Sequence, residues 1–369
     1  MIKDFTEDES APTMEGLREA RFPFSKLDED LICPIKTFAP EVREGSTVPT
    51  PVLFLQANFI RGGLLLTINA VHRTMDITGQ VHMLSLLSKA CRNVPFTDEE
   101  VTNGNLDRRN IIPLLDENWE ADAQPPVIPK TTSTDTPSKQ SAPPPQIGYA
   151  WAYFSFTSTS VAQLKAHATS SVTSPSAFVS SDDSLCALIW QSIARARLAR
   201  LDPATASIFT RIVEIRQLFD IPKEFPGNIV TQTLNNSTLQ DVTSQTIGDL
   251  ASQLRSKLDP ESLKHTFQAN ATRQARTKNK IIKPAAVDHS NFVMMSSWMK
   301  ADCYDFDFNL GLGKPEAVRR PKFTPFPGAV FLSPRALDGE VVAGMCLRED
   351  EMEILKADEE LLKYGQYIG

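Results

Sequence analysis

A proline-rich segment at residues 121–147 divides the chain. It holds seven of the 26 prolines, together with many serines and threonines. Because proline fixes φ and has no backbone N–H, such a segment forms neither a helix nor an inner strand. A chain of 369 residues is also longer than one hydrophobic core usually organises. The sequence therefore predicts two domains, at 1–120 and 148–369, joined by an extended, exposed linker at 121–147.

Segments of strand and helix character alternate on both sides of this linker. Before it, two apolar runs at 52–60 and 64–71 flank Arg61-Gly62-Gly63, a pattern typical of a β-hairpin, and a helix follows from Thr78. After it, the predicted elements are strands at 149–156, 212–216 and 292–299, helices at 161–168, 185–201 and 247–258, a hairpin around Asp338-Gly339, and a charged helix at 349–364. The order follows no strict βαβ repeat. We therefore predict an α/β fold with mixed β-sheets flanked by helices.

Composition narrows the classes of function. The net charge of -7 argues against nucleic acid as a partner, because phosphate binding needs an excess of clustered Lys and Arg. No apolar run is long enough to span a membrane, and the first residues are acidic rather than basic and apolar. The five cysteines are odd in number and widely spread, which favours a reducing, cytoplasmic location. The histidines show no metal-ligand spacing, so we expect no metal site.

The stretch from His72 to Asp76 is an H-x-x-x-D that stands where a predicted strand ends and a helix begins. A histidine at a strand end can face a cleft from a rigid support, which is suited to a general base in acyl transfer. A structural interpretation stands beside this one. Asp76 could cap the following helix, and His72 could be a partly buried loop histidine. The two interpretations are compatible for Asp76.

A second unusual stretch runs from Asp305 to Pro315 and contains Gly311-Leu312-Gly313-Lys314. It is not a phosphate-binding loop, because the wider glycine frame is absent and a proline stands where Ser or Thr would bind magnesium. By its residues alone it is a glycine turn that follows a strand and is closed by a proline. A structural role is the simplest interpretation.

The two motifs, in this order and about 230 residues apart, resemble those of the BAHD acyltransferase family, which pairs H-x-x-x-D with a late D-F-G-W-G. The resemblance is strongest to the fungal branch similar to trichothecene 3-O-acetyltransferases. It extends over nearly the whole chain through further similar segments at 181–190, 213–216, 226–228 and 296–298.

The resemblance implies a monomeric, two-domain protein of the chloramphenicol-acetyltransferase-like fold with a channel between the domains. His72 would take the proton from an acceptor hydroxyl, or less commonly an amine, as the acceptor attacks the acyl-CoA thioester. No covalent acyl-enzyme and no tightly bound cofactor are expected. Acyl-CoA, most simply acetyl-CoA, would be the co-substrate, and a hydroxylated terpenoid or alkaloid the acceptor.

The resemblance also implies roles for further residues. Asp76 would point away from the acceptor and pair with Arg216, which supports the loop that carries His72. The glycine motif would brace the site structurally, with its members at Asp307, Gly311 and Gly313. Candidates for contact with acyl-CoA or the channel are Ser296, Ser297 and Trp298.

The chain departs from the family pattern at two places. Asn309 stands at the position of the motif's Asp, which Asp307 recovers only with two extra residues, and Leu312 stands at the position of its Trp. Because this motif is a brace, we expect the fold to be retained. Family members also carry several dozen residues before the region that Met1 begins. We therefore expect the first domain to lack its usual first strand and helix and to leave an open sheet edge.

Other functions are weaker alternatives. Condensation domains and chloramphenicol-type acetyltransferases usually place Gly directly after the motif's Asp, and condensation domains place a second His before the first. Those positions are Ile77 and Val71 in this chain. A Ser-His-Asp hydrolase lacks its G-x-S-x-G sequence here. A non-catalytic or degenerate relative that keeps the channel as a binding pocket for a small molecule remains the alternative function.

Overall fold

The computed structural model describes residues 1–38, 51–120, 148–174, 178–277 and 291–369. Within these ranges the chain forms two β-sheets, one of three strands and one of seven. The predicted linker at 121–147 lies outside these residues. All three strands of the smaller sheet precede the linker, and all seven of the larger sheet follow it. The domain boundaries themselves stay a prediction.

The smaller sheet has the order β1-β2-β3. Its strands are β1 Ile2–Asp4, β2 Leu53–Ile60 and β3 Gly63–Ala70. β2 and β3 pair antiparallel from Ile60↔Gly63 to Leu53↔Ala70, which confirms the predicted hairpin. Gly62 in the turn has φ +84°, a conformation that glycine adopts without strain. β1 is exposed over its whole length and pairs parallel with β2 at one edge of the sheet.

The larger sheet has the order β10-β4-β9-β8-β7-β5-β6. Its strands are β4 Tyr149–Phe156, β5 Ala206–Glu214, β6 Val230–Thr238, β7 Phe292–Ser297, β8 Ala329–Leu332, β9 Val341–Arg348 and β10 Gln366–Tyr367. β7 pairs parallel with β5 and β8, and the other pairs are antiparallel. The prediction of mixed sheets is therefore confirmed, as is the hairpin β8–β9.

Helices flank both sheets. The described α-helices are α1 Met14–Glu19, α2 Glu29–Ile32, α3 Ile77–Cys91, α4 Asp98–Gly104, α5 Ser158–Ser170, α6 Ser181–Leu198, α7 Leu239–Ser244, α8 Ile247–Ser256, α9 Pro260–Arg276, α10 Glu349–Leu355 and α11 Glu359–Leu362. Within the described ranges, none of these helices combines the length and the apolar composition needed to cross a bilayer.

The central helix α6 lies against the larger sheet, where Trp190 contacts Phe209 at 5.1 Å between ring centroids. The predicted start of this helix was wrong by four residues. Its N-cap is Ser180, whose side chain accepts from the backbone of Asp183 while the Asp183 carboxylate accepts from the backbone of Ser180. Asp182 and Asp183 therefore lie in the first turn of the helix, whereas the predicted helix began after them.

Two other predicted elements needed correction. The strand predicted at 212–216 begins earlier, at Ala206, and ends at Glu214, because the chain turns into a 3-10 helix at Arg216–Phe219. The single helix predicted at 349–364 is two helices, α10 and α11. The break falls where the Asp358 side chain caps α11 by accepting from the Leu361 N–H.

Two arginines at and just after α1 contact residues that follow the linker. Arg18 on α1 makes two hydrogen bonds to Glu316, at 2.7 and 2.6 Å. Arg21 just after α1 reaches Ser155 on β4 at 2.8 Å and Glu340 at 2.6 Å. These contacts connect α1 and the residues just after it to the part of the chain that follows the linker.

Asp183 supports a prediction for acid stability. Its carboxylate is fully buried and accepts hydrogen bonds from Arg211 at 2.6 Å, Arg255 at 2.9 Å and the Ser180 hydroxyl at 2.6 Å. Burial raises the pKa of Asp183, but the charge of Arg211 and the bonds from Ser180 outweigh it and hold the pKa below the ordinary 3.8. The stabilisation is therefore complete above pH 3.8 and is lost as the pH falls through the lower, folded-state value.

We expect Asp183→Asn to lower the free energy of unfolding at pH 7 by about 3 kcal/mol, the low end for a broken buried pair, because Asp182 still holds Arg211. Urea unfolding at pH 7 and at pH 3 measures the effect, which should shrink at the lower pH. The matched control is Asp107→Asn, whose pair with Arg109 is exposed. An equal loss in both variants would contradict the argument.

Candidate active site

His72 stands in a short turn between β3, which ends at Ala70, and α3, which begins at Ile77. This is the strand-to-helix junction that the sequence predicted. Its side chain is exposed, whereas Asp76 is only 2% exposed. The two ends of the motif therefore occupy different environments, one open to a substrate and one inside the protein.

Asp76 is committed to four donors. Its Oδ1 accepts from the Gly79 N–H at 3.0 Å and from Arg216 Nη2 at 2.9 Å. Its Oδ2 accepts from the Ile229 N–H at 2.9 Å and lies 2.8 Å from Arg216 Nη1. The carboxylate is thus both the N-cap of α3 and half of an ion pair with Arg216. Since both oxygens are occupied, it is not placed to act on a substrate.

Arg216 forms the predicted ion pair with Asp76 and also bonds the turn at 225–229. Its side chain is 2% exposed and donates to the Phe225 carbonyl at 3.2 Å and the Gly227 carbonyl at 2.6 Å. It also bonds the Glu214 carboxylate at 2.9 Å. The guanidinium therefore joins the His72 loop to the turn at 225–229. Its role in supporting the site stays a prediction.

The turn at 225–229 packs closely against the His72 loop. A Cβ at Gly227 would lie 2.1 Å from the Phe225 ring, and a Cβ at Gly79 would lie 2.7 Å from the Pro226 carbonyl oxygen. Gly79 is therefore needed for the close approach of α3 to this turn, whereas Gly227 is needed for the fold of the turn itself. The next residue, Asn228, donates from Nδ2 to the His72 carbonyl at 2.9 Å, and the same Nδ2 lies 3.3 Å from His72 Nδ1.

Two residues at this site were missed by the sequence analysis. Asn228 was noted only within a segment similar to the family, with no role assigned. Arg108 was not noted at all, yet its Nη1 donates to the Thr74 carbonyl at 2.6 Å and its guanidinium lies 5.7 Å from the centre of the Phe225 ring. A polar residue after a Pro-Gly pair was a readable signal for Asn228. Nothing in the local sequence distinguishes Arg108 from other surface arginines.

The glycine motif lies against the second half of α3. The Asp307 carbonyl accepts from Ser88 Oγ at 2.7 Å, and Asn309 Nδ2 donates to the Cys91 carbonyl at 3.2 Å. Gly311 and Gly313 have φ of +73° and +74°, and a Cβ on either would meet no atom within 4 Å. These contacts fit the predicted brace, because α3 is the helix that Asp76 caps. The bracing role itself stays a prediction.

We expect Gly311→Ala to lower the free energy of unfolding by about 1–2 kcal/mol, since only backbone strain opposes the new methyl group. Gly328→Ala is the matched comparison. Its φ is similar, at +80°, but the new Cβ would lie 2.3 Å from the Phe292 carbonyl oxygen, so the loss should be larger. Thermal unfolding of both variants tests this order, and a larger loss for Gly311→Ala would refute it.

The three channel candidates on and after β7 form a cluster of their own. Ser297 Oγ hydrogen-bonds the Asp182 carboxylate, and Trp298 Nε1 donates to Ser296 Oγ at 3.0 Å. The Trp298 ring also lies 5.1 Å from the Arg320 guanidinium. Ser296, Ser297 and Trp298 take no part in the hydrogen bonds that hold the His72 loop. Their contact with acyl-CoA stays a prediction.

Comparisons with known proteins agree with this architecture. Residues 1–91 match the trichothecene 3-O-acetyltransferase-like N-terminal domain. A trichothecene 3-O-acetyltransferase of Fusarium sporotrichioides is 44% identical over 371 residues, which covers 100% of this chain and 80% of that protein. A protein of the same name from Saccharomyces cerevisiae is 41% identical over 378 residues, covering 100% of this chain and 79% of its own.

Solved structures of acyltransferases superpose on this chain as well. The crystal structure of the Fusarium sporotrichioides enzyme with coenzyme A and T-2 superposes with a TM-score of 0.88 at 43% identity, covering 100% of this chain and 81% of that one. Vinorine synthase superposes with a TM-score of 0.57 at 21% identity, covering 87% of this chain and 68% of that one, and shares the fold.

Proposed function

Because the chain belongs to the fungal, trichothecene 3-O-acetyltransferase-like branch of the BAHD acyltransferases, we propose that it acetylates a hydroxyl of a small terpenoid-type metabolite with His72 as the general base. Membership makes it an acyltransferase with a CoA thioester as co-substrate. The Fusarium sporotrichioides relative was crystallised with coenzyme A and T-2, and a Fusarium graminearum relative with coenzyme A and deoxynivalenol. These ligands support an acceptor of similar class for this chain.

The proposed reaction needs one proton carrier. The acceptor oxygen attacks the thioester carbonyl carbon while His72 takes the hydroxyl proton, which gives a tetrahedral oxyanion. The C–S bond then breaks, the acyl group stays on the acceptor oxygen, and the CoA sulfur receives the proton from His72. No bond between the acyl group and the protein forms at any step.

One observation carries this proposal: His72 is exposed on a loop whose carboxylate and two of whose carbonyls are already bonded. The carboxylate of Asp76 has four donors, and the Thr74 and His72 carbonyls are held by Arg108 and Asn228. Of the two residues that define the motif, His72 is therefore the one that is open to a substrate. A base on a fixed support is what proton transfer in the transition state requires.

The test is a turnover assay with purified protein and acetyl-CoA. Acceptors should include a hydroxylated trichothecene, other terpenoid and alkaloid alcohols, and a primary amine, with an acceptor-free reaction as control. We expect acceptor-dependent release of the CoA thiol together with a product that is heavier by one acetyl group. Release without an acetylated product, or no release with any acceptor, would reject the proposal.

A second candidate function is non-catalytic binding of a small molecule. It is favoured by one observation, that Leu312 at the place of the family's tryptophan is 56% exposed rather than packed. The same assay separates the two functions when it is joined to calorimetric titration with coenzyme A. Binding without product formation would favour this second function.

We also propose a cytoplasmic location. The five cysteines, which lie at 33, 91, 186, 303 and 346, are all free thiols. Burial raises the pKa of Cys33 and of Cys303 to about 12, which keeps both in the unreactive thiol form at neutral pH. Such a set of free cysteines is typical of a reducing compartment. The predicted monomeric state stays a prediction.

A further inference from the structure

Arg320 lies among aromatic side chains against one face of the larger sheet. The carbon of its guanidinium is 4.2 Å from the centre of the Phe331 ring, 4.9 Å from that of Phe323 and 5.1 Å from that of Trp298. The Trp151 ring lies 4.6 Å from Phe323 and 5.8 Å from Phe331, measured between ring centroids. We call Arg320 and these four aromatic residues the Arg320 cluster.

Two buried donors in this cluster have no partner among the described residues. They are Arg320 Nε and Trp151 Nε1. A guanidinium that stacks on an aromatic ring uses its flat face, so the N–H groups around its edge stay free for an acceptor. Buried polar atoms are rarely left unpaired, and burial of a cation without hydrogen bonds is costly. In agreement with this cost, burial lowers the pKa of Arg320 to about 10. The cluster thus offers donors to an oxygen atom from outside the described chain.

The charges around Arg320 favour a neutral oxygen over an anionic one. The negative charge of Glu29 acts on Arg320, but the Glu29 carboxylate itself hydrogen-bonds Thr37. Glu29 therefore offsets part of the positive charge without occupying the donors. A phosphate or carboxylate at this place would be repelled by Glu29, whereas a ketone or ester oxygen needs only a donor. The aromatic rings in turn suit the hydrocarbon part of such a molecule.

The cluster borders the end of the larger sheet that meets the His72 loop. β5 and β7 run side by side in parallel, and Glu214 and Trp298 each lie two residues beyond the last pair of these strands. Their side chains therefore share one face at one end of the sheet. Glu214 bonds Arg216 at 2.9 Å, and Arg216 pairs with Asp76 of the H-x-x-x-D motif. A small molecule that reaches the proposed base can thus extend towards Trp298 and the rest of the cluster.

We propose that Arg320 is a specificity-determining residue, which donates a hydrogen bond to a ketone or ester oxygen of the acceptor at a carbon other than the one that bears the reacting hydroxyl. The aromatic side chains of the cluster contact the hydrocarbon skeleton of the same acceptor. This inference rests on the proposed function, in which a small terpenoid-type alcohol is acetylated. It adds the second functional group by which that alcohol is selected.

The experiment compares two acceptors that differ in a single oxygen. One is a hydroxylated trichothecene with a ring ketone, and the other is its deoxo analogue, in which a methylene replaces the ketone. The measured quantity is the ratio of kcat/KM for the ketone to kcat/KM for the deoxo compound, at saturating acetyl-CoA. We expect a ratio of about 10–10² in the wild type, the usual value of a hydrogen bond from a charged donor. A wild-type ratio near one overturns the inference.

Arg320→Met removes the donors but keeps an unbranched apolar side chain, so its ratio should fall to about one through a lower kcat/KM for the ketone. A general loss of stability lowers both rates together and leaves the ratio unchanged, so an unchanged ratio overturns the inference. The control Arg335→Met makes the same change at an exposed position after β8 and should keep the wild-type ratio.

Thermal unfolding shows whether Arg320→Met is folded. If it is not, Arg320→Lys decides in its place. Lysine keeps the charge but has neither the planar group that stacks on the rings nor its fixed donors. A ratio that falls by about threefold or more supports the inference, and an unchanged ratio overturns it.

The amide groups of CoA are another source of a carbonyl oxygen, and the KM for acetyl-CoA identifies them. We expect this KM to be the same in the wild type and in Arg320→Met. If it rises in Arg320→Met with both acceptors while the ratio stays unchanged, the oxygen belongs to CoA and the inference is overturned.

Equilibrium binding keeps this inference apart from the proposed function. Calorimetric titration with the two trichothecenes needs no turnover. If neither compound is acetylated, but the wild type binds the ketone more tightly and Arg320→Met does not, acyl transfer is rejected and recognition by Arg320 stands. If the ketone is acetylated while neither rate nor affinity separates the two compounds, acyl transfer stands and the role of Arg320 is rejected.

Discussion

Replacing His72 with alanine is expected to lower kcat by about 10²–10⁴-fold, the usual contribution of a positioned general base. Without an imidazole, the acceptor hydroxyl has no group on this loop to take its proton, because Asp76 is buried and fully bonded. The KM for acetyl-CoA should change little, since the proposed role begins only as the proton moves. Thiol release under saturating acceptor measures the effect.

The control is His265→Ala, an exposed histidine on α9. It should leave both rate and stability unchanged. His72→Ala should also unfold within about 0.5 kcal/mol of the wild type, because the His72 side chain is exposed and, within the part of the chain that the structure describes, has only a long contact to Asn228. A rate near that of the wild type would reject His72 as the base. A large loss of stability would mean that the lost rate cannot be assigned to chemistry.

The local part of this site could be predicted because it depends on residues that are close to one another in the sequence. Two β-type runs around Arg61-Gly62-Gly63 predicted the hairpin that delivers His72. The position of Asp76 just before an apolar helical repeat predicted its capping role, which is a matter of neighbouring residues. The pairing with Arg216 needed the family resemblance, since the two residues are 140 positions apart.

The remaining contacts could not be read from local patterns. Asn228, Arg108 and Ser88 act through hydrogen bonds to carbonyls that are distant in sequence, and such bonds leave no periodic signal. β6 was missed because its sequence is polar at most positions, which fits an edge strand but resembles a loop. α9 was missed although a signal was present: Asp259 caps it and Pro260 occupies its first turn.

The altered second motif shows why the fold tolerates departures there. The loop is attached to α3 through the Asp307 carbonyl and the Asn309 amide, and its turns depend on the φ values of two glycines. None of these features needs an aromatic side chain at 312. The sequence expectation that this motif acts as a brace is therefore compatible with Leu312 in place of the family's Trp.

Arg216→Ala is expected to lower the free energy of unfolding by about 3–5 kcal/mol, the range for a broken buried ion pair. The change leaves the Asp76 carboxylate buried without its charged partner. It also removes the donors that the Phe225 and Gly227 carbonyls use. Urea unfolding followed by tryptophan fluorescence measures the loss. The surface variant Arg109→Ala breaks an exposed pair and should lose at most about 1 kcal/mol.

A double-mutant cycle separates the ion pair from the rest of the Arg216 contacts. Asp76→Asn removes the negative charge but keeps a capping side chain, so the double variant should be more stable than the two single losses predict by addition, by about 0.5–3 kcal/mol. Activity should fall in Arg216→Ala even at temperatures where it is folded, because the turn that carries Asn228 loses its anchor to the His72 loop. Additive losses, or a loss no larger than that of Arg109→Ala, would show that the pair does not hold the site together.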